Sequence, residues 1–367
     1  MARGRLALTA ALAATLASAC GQAAAGTPAA SAPASQAGLA GLVSAANREG
    51  TVVIWGNYPA DADVPAVEKD FNARFGTQIH IQTVPVAAAQ AQTRMVAESQ
   101  GNRYDWDLFA NFGSESLPDL TSRGLLAKVD WAGLFEKDLP SIKDAADSVP
   151  ADYSGYALTF YDGGYAMIYN PTQSKPADGP QQWEDLGSPT FRSKLVISAN
   201  GYPFNYLSVS PDWGPQKTEQ LVRQIADNKP LLVTGSAQEN VDRVVRNEMP
   251  FGVSDLSSIL DAKGKGRPIE AIIPNYVPGD HRYTVLDVRA PHPNAARLYA
   301  AWEVSEGMKT FGVLRQSSRF TSPNSNLTEI ISKQNPAAKV VTPTSTDSIK
   351  AQAAFLKTAA GIFTSPR

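Results

Sequence analysis

Short apolar runs alternating with helix-patterned stretches constrain this chain more than any other feature. Thr51-Val-Val-Ile-Trp55, bounded by Gly50 and Gly56, reads as a buried strand. Val64, Val67, Phe71 and Phe75 then recur at helical spacing, with Gly76 as a stop. Gln78–Val84 alternates Ile79 and Ile81 with polar neighbours, Ala87–Gln100 is helix-forming, Asp107-Leu-Phe109 is a third strand, and Ser116–Arg123 is a helix closed by Gly124. This βαβαβα rhythm implies an α/β chain with a largely parallel sheet. The style recurs downstream. Tyr156–Asn170 is strand-like around Gly163-Gly164, Lys194–Ser198 is a short buried strand, and Thr218–Asn228 and Gln238–Asn247 are helical. Strands are expected at Phe251–Ser254, Ala271–Ile273 and Thr284–Val288, and a helix at Asn294–Ser305. A loop rich in Ser, Thr, Asn and Pro then leads to a last helix, Ser345–Phe363.

At about 100–200 residues per domain, 367 residues suggest two domains. With 33 Lys+Arg against 35 Asp+Glu, the charge balance offers no basic footprint for nucleic acid. One cysteine excludes an intrachain disulfide and any multi-Cys metal centre, and three scattered histidines, at 80, 281 and 292, do not form a ligand motif. No metal, no cofactor and no catalytic residue is therefore expected. Met1–Ala19 carries Arg3 and Arg5, then an apolar run from Leu6 that ends in small residues before Cys20. That is the layout of a secretory signal, too short to span a bilayer. Leu16-Ala17-Ser18-Ala19-Cys20 resembles the bacterial lipoprotein box, which implies that Cys20 is lipidated and attaches the mature chain to the membrane. Residues 20–37 contain no charge and no large apolar side chain and read as a flexible tether.

Four segments, in order, carry a family resemblance. They are Thr51-Val-Val-Ile-Trp55; Tyr104-Asp-Trp-Asp-Leu-Phe109 with Leu120-Thr-Ser-Arg-Gly-Leu-Leu126; Gly164-Tyr-Ala-Met-Ile-Tyr-Asn-Pro171 with Gln182-Trp-Glu-Asp-Leu186; and Ala290-Pro-His-Pro-Asn-Ala-Ala296 with Ser305-Glu-Gly307. Together they resemble the extracellular solute-binding proteins of bacterial ABC importers. The resemblance implies a two-lobed type II periplasmic binding fold with two crossovers, near Ala157–Phe160 and Ile272–Tyr276. Lobe I would be residues 38–157 plus 274–330, lobe II residues 158–273, and residues 331–367 a tail whose helix packs on a lobe. It further implies an exported, lipid-anchored monomer with two partners, a small-molecule solute and an ABC permease.

Ligands of open α/β sheets sit beyond the carboxyl ends of strands, so the loops after the expected strands were read for chemistry. They are 55–63, 111–116, 160–165, 200–206, 235–240 and 254–258. They hold Trp55, Tyr58, Phe112, Phe160, Tyr161, Tyr165, Tyr202, Phe204 and Tyr206, with Asp61, Asp63, Glu115, Asp162, Glu239 and Asp255, and no Lys or Arg. Carboxylates and aromatic faces without a base favour an amine or cation, or a neutral polyol, over an organic anion. The candidate contacts are Trp55, Asn57, Tyr58 and Asn111 from lobe I and Tyr161, Asp162, Tyr202, Ser236 and Asp255 from lobe II. Ser236, ahead of a helix, reads equally as an oxyanion contact or an ordinary N-cap.

Two alternatives stand beside this reading. Ferric carriers of the family use two adjacent tyrosines with a His and a Glu. Here the tyrosine-pair region reads Asp255-Leu-Ser-Ser258, Gly56-Asn-Tyr-Pro59 lacks His, and Asn111 and Phe112 stand where the Glu is expected. A ferric carrier would therefore need a non-standard site. An exported hydrolase could use cleft carboxylates, yet the chain has no G-x-S-x-G, H-E-x-x-H, P-loop or G-x-G-x-x-G.

Overall fold

The computed structural model describes residues 38–310, 319–322 and 325–365. The leader 1–19, Cys20 and the tether 20–37 lie outside the described residues. The first part of the chain runs α1 (Gly38–Glu49), β1 (Thr51–Gly56), α2 (Val64–Phe75), β2 (His80–Val84), α3 (Ala88–Gln100), β3 (Leu108–Gly113), α4 (Leu117–Ser122), α5 (Trp131–Phe135) and α6 (Ile142–Asp147). The long β4 (Ala157–Tyr169) leads into β5 (Leu195–Ser198), α7 (Phe204–Leu207), α8 (Gly214–Asp227), β6 (Leu231–Val233), α9 (Ala237–Val245), β7 (Phe251–Asp255), α10 (Leu256–Gly264) and β8 (Glu270–Ile272). The chain continues through β9 (Tyr276–Leu286), α11 (Pro293–Ser305), α12 (Asn326–Gln334), β10 (Lys339–Val341) and α13 (Thr346–Thr364). Gly76 closes α2 in the left-handed conformation at φ 64°, the backbone state that its lack of a Cβ favours.

Among the described residues the strands form one ten-stranded sheet, in the order β2-β1-β3-β9-β4-β7-β5-β6, with β8 on β4 and β10 on β9. The β1–β2, β1–β3, β5–β6 and β5–β7 pairs are parallel. Burial explains why these strands read as unbroken apolar runs. On β1, Val52 and Ile54 pack with Phe71, Tyr299 and Trp302, while Val53 and Trp55 pack on the other face with Met95, Trp106 and Phe109. In β5, Leu195 and Ile197 meet α8 and α13 residues, whereas Val196 meets Val241 and Ile259. Both faces of the sheet are covered, as expected of parallel strands.

The two halves of the sheet are joined by β4 and β9. From Ala157 to Gly164, β4 pairs antiparallel with β9, and from Tyr165 to Tyr169 it pairs with β7. The sequence expectation missed most of β9, which begins at Tyr276, not Thr284. Pro278-Gly279-Asp280 imitates a turn, and the charged run that follows is stabilised by cross-strand partners no local pattern reveals. The segment read as a terminal loop also contains α12 and β10, which pairs parallel with β9. Helix α13 reaches both halves. Its Ile349 joins the cluster around Trp55 and Phe112, and its Phe355, Ala359, Ile362 and Phe363 join the cluster around Trp183 and Phe204.

One buried carboxyl makes this core sensitive to pH. Glu303 of α11 is fully buried, accepts a hydrogen bond from Thr284 Oγ1 at 2.6 Å, and leaves Oε1 without a partner among the described residues. Burial pushes its carboxyl up to about 8. The folded protein then keeps a proton that the unfolded chain releases, so stability falls as pH rises from the ordinary glutamate range towards 8. Glu303→Gln is expected to flatten that decline in urea unfolding and to raise stability at pH 7 by up to about 3 kcal/mol.

Candidate functional site

Two strand irregularities build the site on either side of β9. The β3–β9 register shifts between Phe109 and Phe112, and the β4–β9 register shifts between Thr159 and Tyr161. Such bulges re-aim side chains next to functional sites. The first places Asn111 at φ 69°, in the left-handed region that asparagine tolerates. The second sets Tyr161 opposite Arg282, where a regular strand would have kept it on the face of Thr159 and Tyr283. The Tyr161 hydroxyl donates to Asn111 Oδ1 at 3.1 Å, joining β3 to β4. Beyond the bulge the pairing is regular, with Gly163 opposite Asp280 and Tyr165 opposite Asp255. Strand alternation therefore turns Tyr161, Gly163, Tyr165, Asp280, Arg282 and Asp255 to one side.

These residues line a cavity of about 580 Å³, within the usual range for small-molecule sites. Tyr58, in the loop after β1, packs edge-on against Tyr161 at 6.3 Å and Phe160 at 6.2 Å. Tyr202, in the loop after β5, lies parallel to Tyr165 with centroids 6.5 Å apart. Asn200, Ser236, Gln238 and Ser257 complete the polar wall. Asp255 caps α10, accepting from Ser258 N at 2.9 Å and Ser258 Oγ at 2.7 Å. Charged pairs occupy the margin and floor. Lys265 bonds Asp261 at 2.7 Å, Arg267 bonds Asp242 at 2.7 Å, and Arg282 bonds Asp280.

Burial governs the titration of these groups. It pushes the Tyr58 phenol up to about 12, with the Asp255 charge adding to the shift, and lifts Tyr161, Tyr165 and Tyr202 well above the ordinary phenol value. All four remain neutral hydrogen-bonding groups at physiological pH. Burial also raises the Asp255 carboxyl, opposed by its bonds from Ser258. Burial works against the Arg282 charge, but Asp280 together with the surrounding Tyr206, Tyr161 and Tyr202 outweighs it and the guanidinium stays protonated. The arrangement suits recognition: neutral phenols, aromatic faces, carboxylates and one buried guanidinium surround the space. Among the described residues, no group of three or more His, Cys, Asp or Glu is placed to hold a metal ion, and no helix is long and apolar enough to cross a membrane.

Of the candidate contacts, Tyr58, Asn111, Tyr161, Tyr202, Ser236 and Asp255 lie on the cavity wall. Three do not. Trp55 is fully buried, stacked on Trp106 at 5.4 Å with the Arg94 guanidinium 3.9 Å from its ring centre. It precedes the end of a strand buried on both faces, and its face is the one under α3. Asn57 is exposed and outside the lining. Asp162 was placed in a loop, but 160–165 continues β4, and alternation turns Asp162 away from the cavity. There it bonds His281 Nδ1 at 2.6 Å and accepts from Phe320 N at 2.7 Å. The base-free cleft is also corrected. Arg282, Lys265 and Arg267 line it, and of the six loop carboxylates only Asp255 does. Asp280 and Arg282 lie inside a strand rather than after one, so a search of strand-end loops passes over them. The alternation Asp280-His281-Arg282 between apolar strand segments was the available signal.

The bacterial extracellular solute-binding protein family model matches residues 66–306. Iron-bound HitA from Pseudomonas aeruginosa superposes with a TM-score of 0.66 at 17% identity, covering 85% of this chain and 99% of that one. The periplasmic binding protein AfuA from Actinobacillus pleuropneumoniae, with fructose-6-phosphate bound, gives 0.60 at 16%, covering 85% and 96%. The spermidine/putrescine transporter substrate-binding protein PotD from Streptococcus pneumoniae gives 0.56 at 14%, covering 84% and 99%. No curated protein matches the chain in sequence. At these identities the structures show a shared fold, the two-lobed α/β type II periplasmic binding fold.

Removing one member of the buried Arg282–Asp280 pair leaves the other charge uncompensated, a loss typically of about 3–5 kcal/mol. Arg282→Met is expected to lower stability by that order in urea unfolding, and adding Asp280→Asn should recover much of it.

Proposed function

We propose that this chain, which belongs to the bacterial extracellular solute-binding protein family, captures a small polar solute in the tyrosine-lined cavity and delivers it to the permease of an ABC importer. The observation that carries the reading is the position of the cavity. It lies where β4 changes partner from β9 to β7, so both halves of the sheet contribute to its wall. With lobe I taken as residues 38–157 plus 274–330 and lobe II as 158–273, Tyr58, Asn111, Asp280 and Arg282 come from lobe I. Tyr161, Tyr165, Tyr202, Ser236 and Asp255 come from lobe II. A solute touching both sets stabilises the closed arrangement more than the open one, which is what closure by ligand requires. The N-terminal leader and Cys20 supply export and a lipid anchor, holding the protein near its permease.

The fold does not name the solute. Structural relatives with iron, with fructose-6-phosphate and of the spermidine/putrescine class share it, so specificity resides in the cavity's own side chains. Aromatic faces, neutral phenols, Asn111, Asn200 and the Asp255 carboxylate favour an amine or a neutral polyol. A ferric carrier is disfavoured because the carboxylates lining the cavity are bonded to bases or to Ser258. A hydrolase using cleft carboxylates is disfavoured because three of the four lining carboxylates are held in ion pairs and the fourth, Asp255, caps α10.

Native mass spectrometry of the protein purified without denaturation tests the reading. One small molecule should be released, chemically unchanged, on unfolding. Tyr58→Ala and Tyr202→Ala, one from each lobe, should each lower its occupancy by about tenfold or more, roughly 1.4 kcal/mol. Wild-type occupancy in both variants would place the solute elsewhere.

A further inference from the structure

The floor of the cavity has an unfilled space at a glycine, flanked on the neighbouring strands by two carboxylates. Gly163 faces inward between Tyr161 and Tyr165. Its glycine is not demanded by the backbone, because it is absent from the positive-φ positions among the described residues. Nor is it demanded by packing, since a Cβ there would meet nothing closer than Asp280 Cβ at 3.7 Å. Gly164 differs. A Cβ there would stand 3.1 Å from Leu256 Cδ1 and 3.2 Å from Val277 Cγ1. What Gly163 does is leave a recess between two tyrosines.

Across the strand from that recess is Asp280, only 2% exposed. One of its oxygens, Oδ2, is taken by Arg282, while Oδ1 has no hydrogen-bond partner among the described residues. A buried carboxylate oxygen without a donor is costly, and the residue that carries this one belongs to the cavity floor, with the oxygen itself sealed from solvent. Asp255, opposite Tyr165, is two residues along β4, about 7 Å on a strand. Its carboxylate receives hydrogen bonds from Ser258, and no base is paired with it among the described residues.

Charge balance narrows what fits. The lining has four carboxylates, Asp242, Asp255, Asp261 and Asp280, and three bases, Lys265, Arg267 and Arg282, each bonded to one of them. Among the described residues one negative charge, on Asp255, is left without a paired base. A single ammonium balances it, whereas a second cation on the same solute would meet three bases. An anion at the N-terminus of α9 would meet the Glu239 carboxylate, which lies over Gly235 and bonds Arg243 at 3.0 Å.

We propose that the cavity selects a monoamine with uncharged polar substituents, its ammonium seated over Gly163 within reach of the Asp255 carboxylate and flanked by the rings of Tyr161 and Tyr165. The proposal rests on the solute-binding reading above and deepens it. Cation–π attraction to the tyrosine rings and a charge-assisted hydrogen bond to Asp255 act on the same group. Gly163 is the specificity-determining position, since any side chain there occupies the ammonium's place.

Isothermal titration of the purified full chain, stripped of bound solute, with ethanolamine, putrescine, sorbitol and phosphate at millimolar concentration tests the assignment. Ethanolamine should bind, with putrescine weaker and phosphate silent. Gly163→Ala should keep the melting temperature of the ligand-free protein and lower ethanolamine affinity by about tenfold or more, roughly 1.4 kcal/mol. Asp255→Asn should do the same. Sorbitol, putrescine or phosphate binding more tightly than ethanolamine overturns the proposal, as does Gly163→Ala binding ethanolamine like wild type. Failure of all four probes overturns it too. The solute-binding reading is decided separately, by the molecule that co-purifies and its dependence on Tyr58 and Tyr202.

Discussion

The antiparallel pairing of β4 with β9 is the contact on which the rest of this structure depends. Among the described residues these two strands carry the sheet from one half to the other, and the middle of their pairing, from Tyr161–Arg282 to Gly163–Asp280, is polar where a sheet interior is ordinarily apolar. On one face Asp162 meets His281, and on the other Asp280 and Arg282 meet Gly163 and Tyr161. Buried charges of this kind persist only when each is paired, because desolvation otherwise exceeds what the fold gains. Each pair is therefore both a structural requirement and a means of keeping polar atoms at the centre of the molecule.

The two faces of that ribbon have different tasks. The Asp162–His281 face is closed. Burial disfavours a charged His281 ring, yet the Asp162 carboxylate outweighs this and holds the histidine above its usual range. Asp162 also accepts from Phe320 N, and the Phe320 ring comes within 3.3 Å of where a Cβ on Gly164 would lie. The Asp280–Arg282 face is open to the cavity, with tyrosines from β4 and from the loops after β1 and β5 around it. The bulges at Phe109–Phe112 and Thr159–Tyr161 make this division possible by resetting which residues of β3 and β4 face the cavity.

The architecture was legible wherever local pattern and burial agree. β1 and β5 are covered on both faces, so their apolar runs stand out, and α2 shows its helical stripe and its glycine stop. Tyr58, Tyr202, Ser236 and Asp255 were legible as cavity residues because they follow strand ends, where an open α/β sheet leaves its crevice. Trp55 failed by the same rule, since a strand buried on both sides does not reveal which face adjoins the crevice. Asp162 failed because a two-glycine segment resembles a loop, and within a strand one residue's difference reverses the face.

By itself, then, the sequence determined the α/β class, the alternation of elements and the strand-end loops that reach the cavity, because hydrophobic period and turn chemistry are local properties. Only the tertiary structure decided the charge of the site. Arg282 and Asp280 act inside it through a register between strands more than 110 residues apart in the chain, and Lys265 and Arg267 reach it from the segment just after α10. Neither cross-strand register nor the reach of a helix end is encoded in any short window. A cleft that reads as purely acidic along the chain is, in three dimensions, three ion pairs and one carboxylate left over.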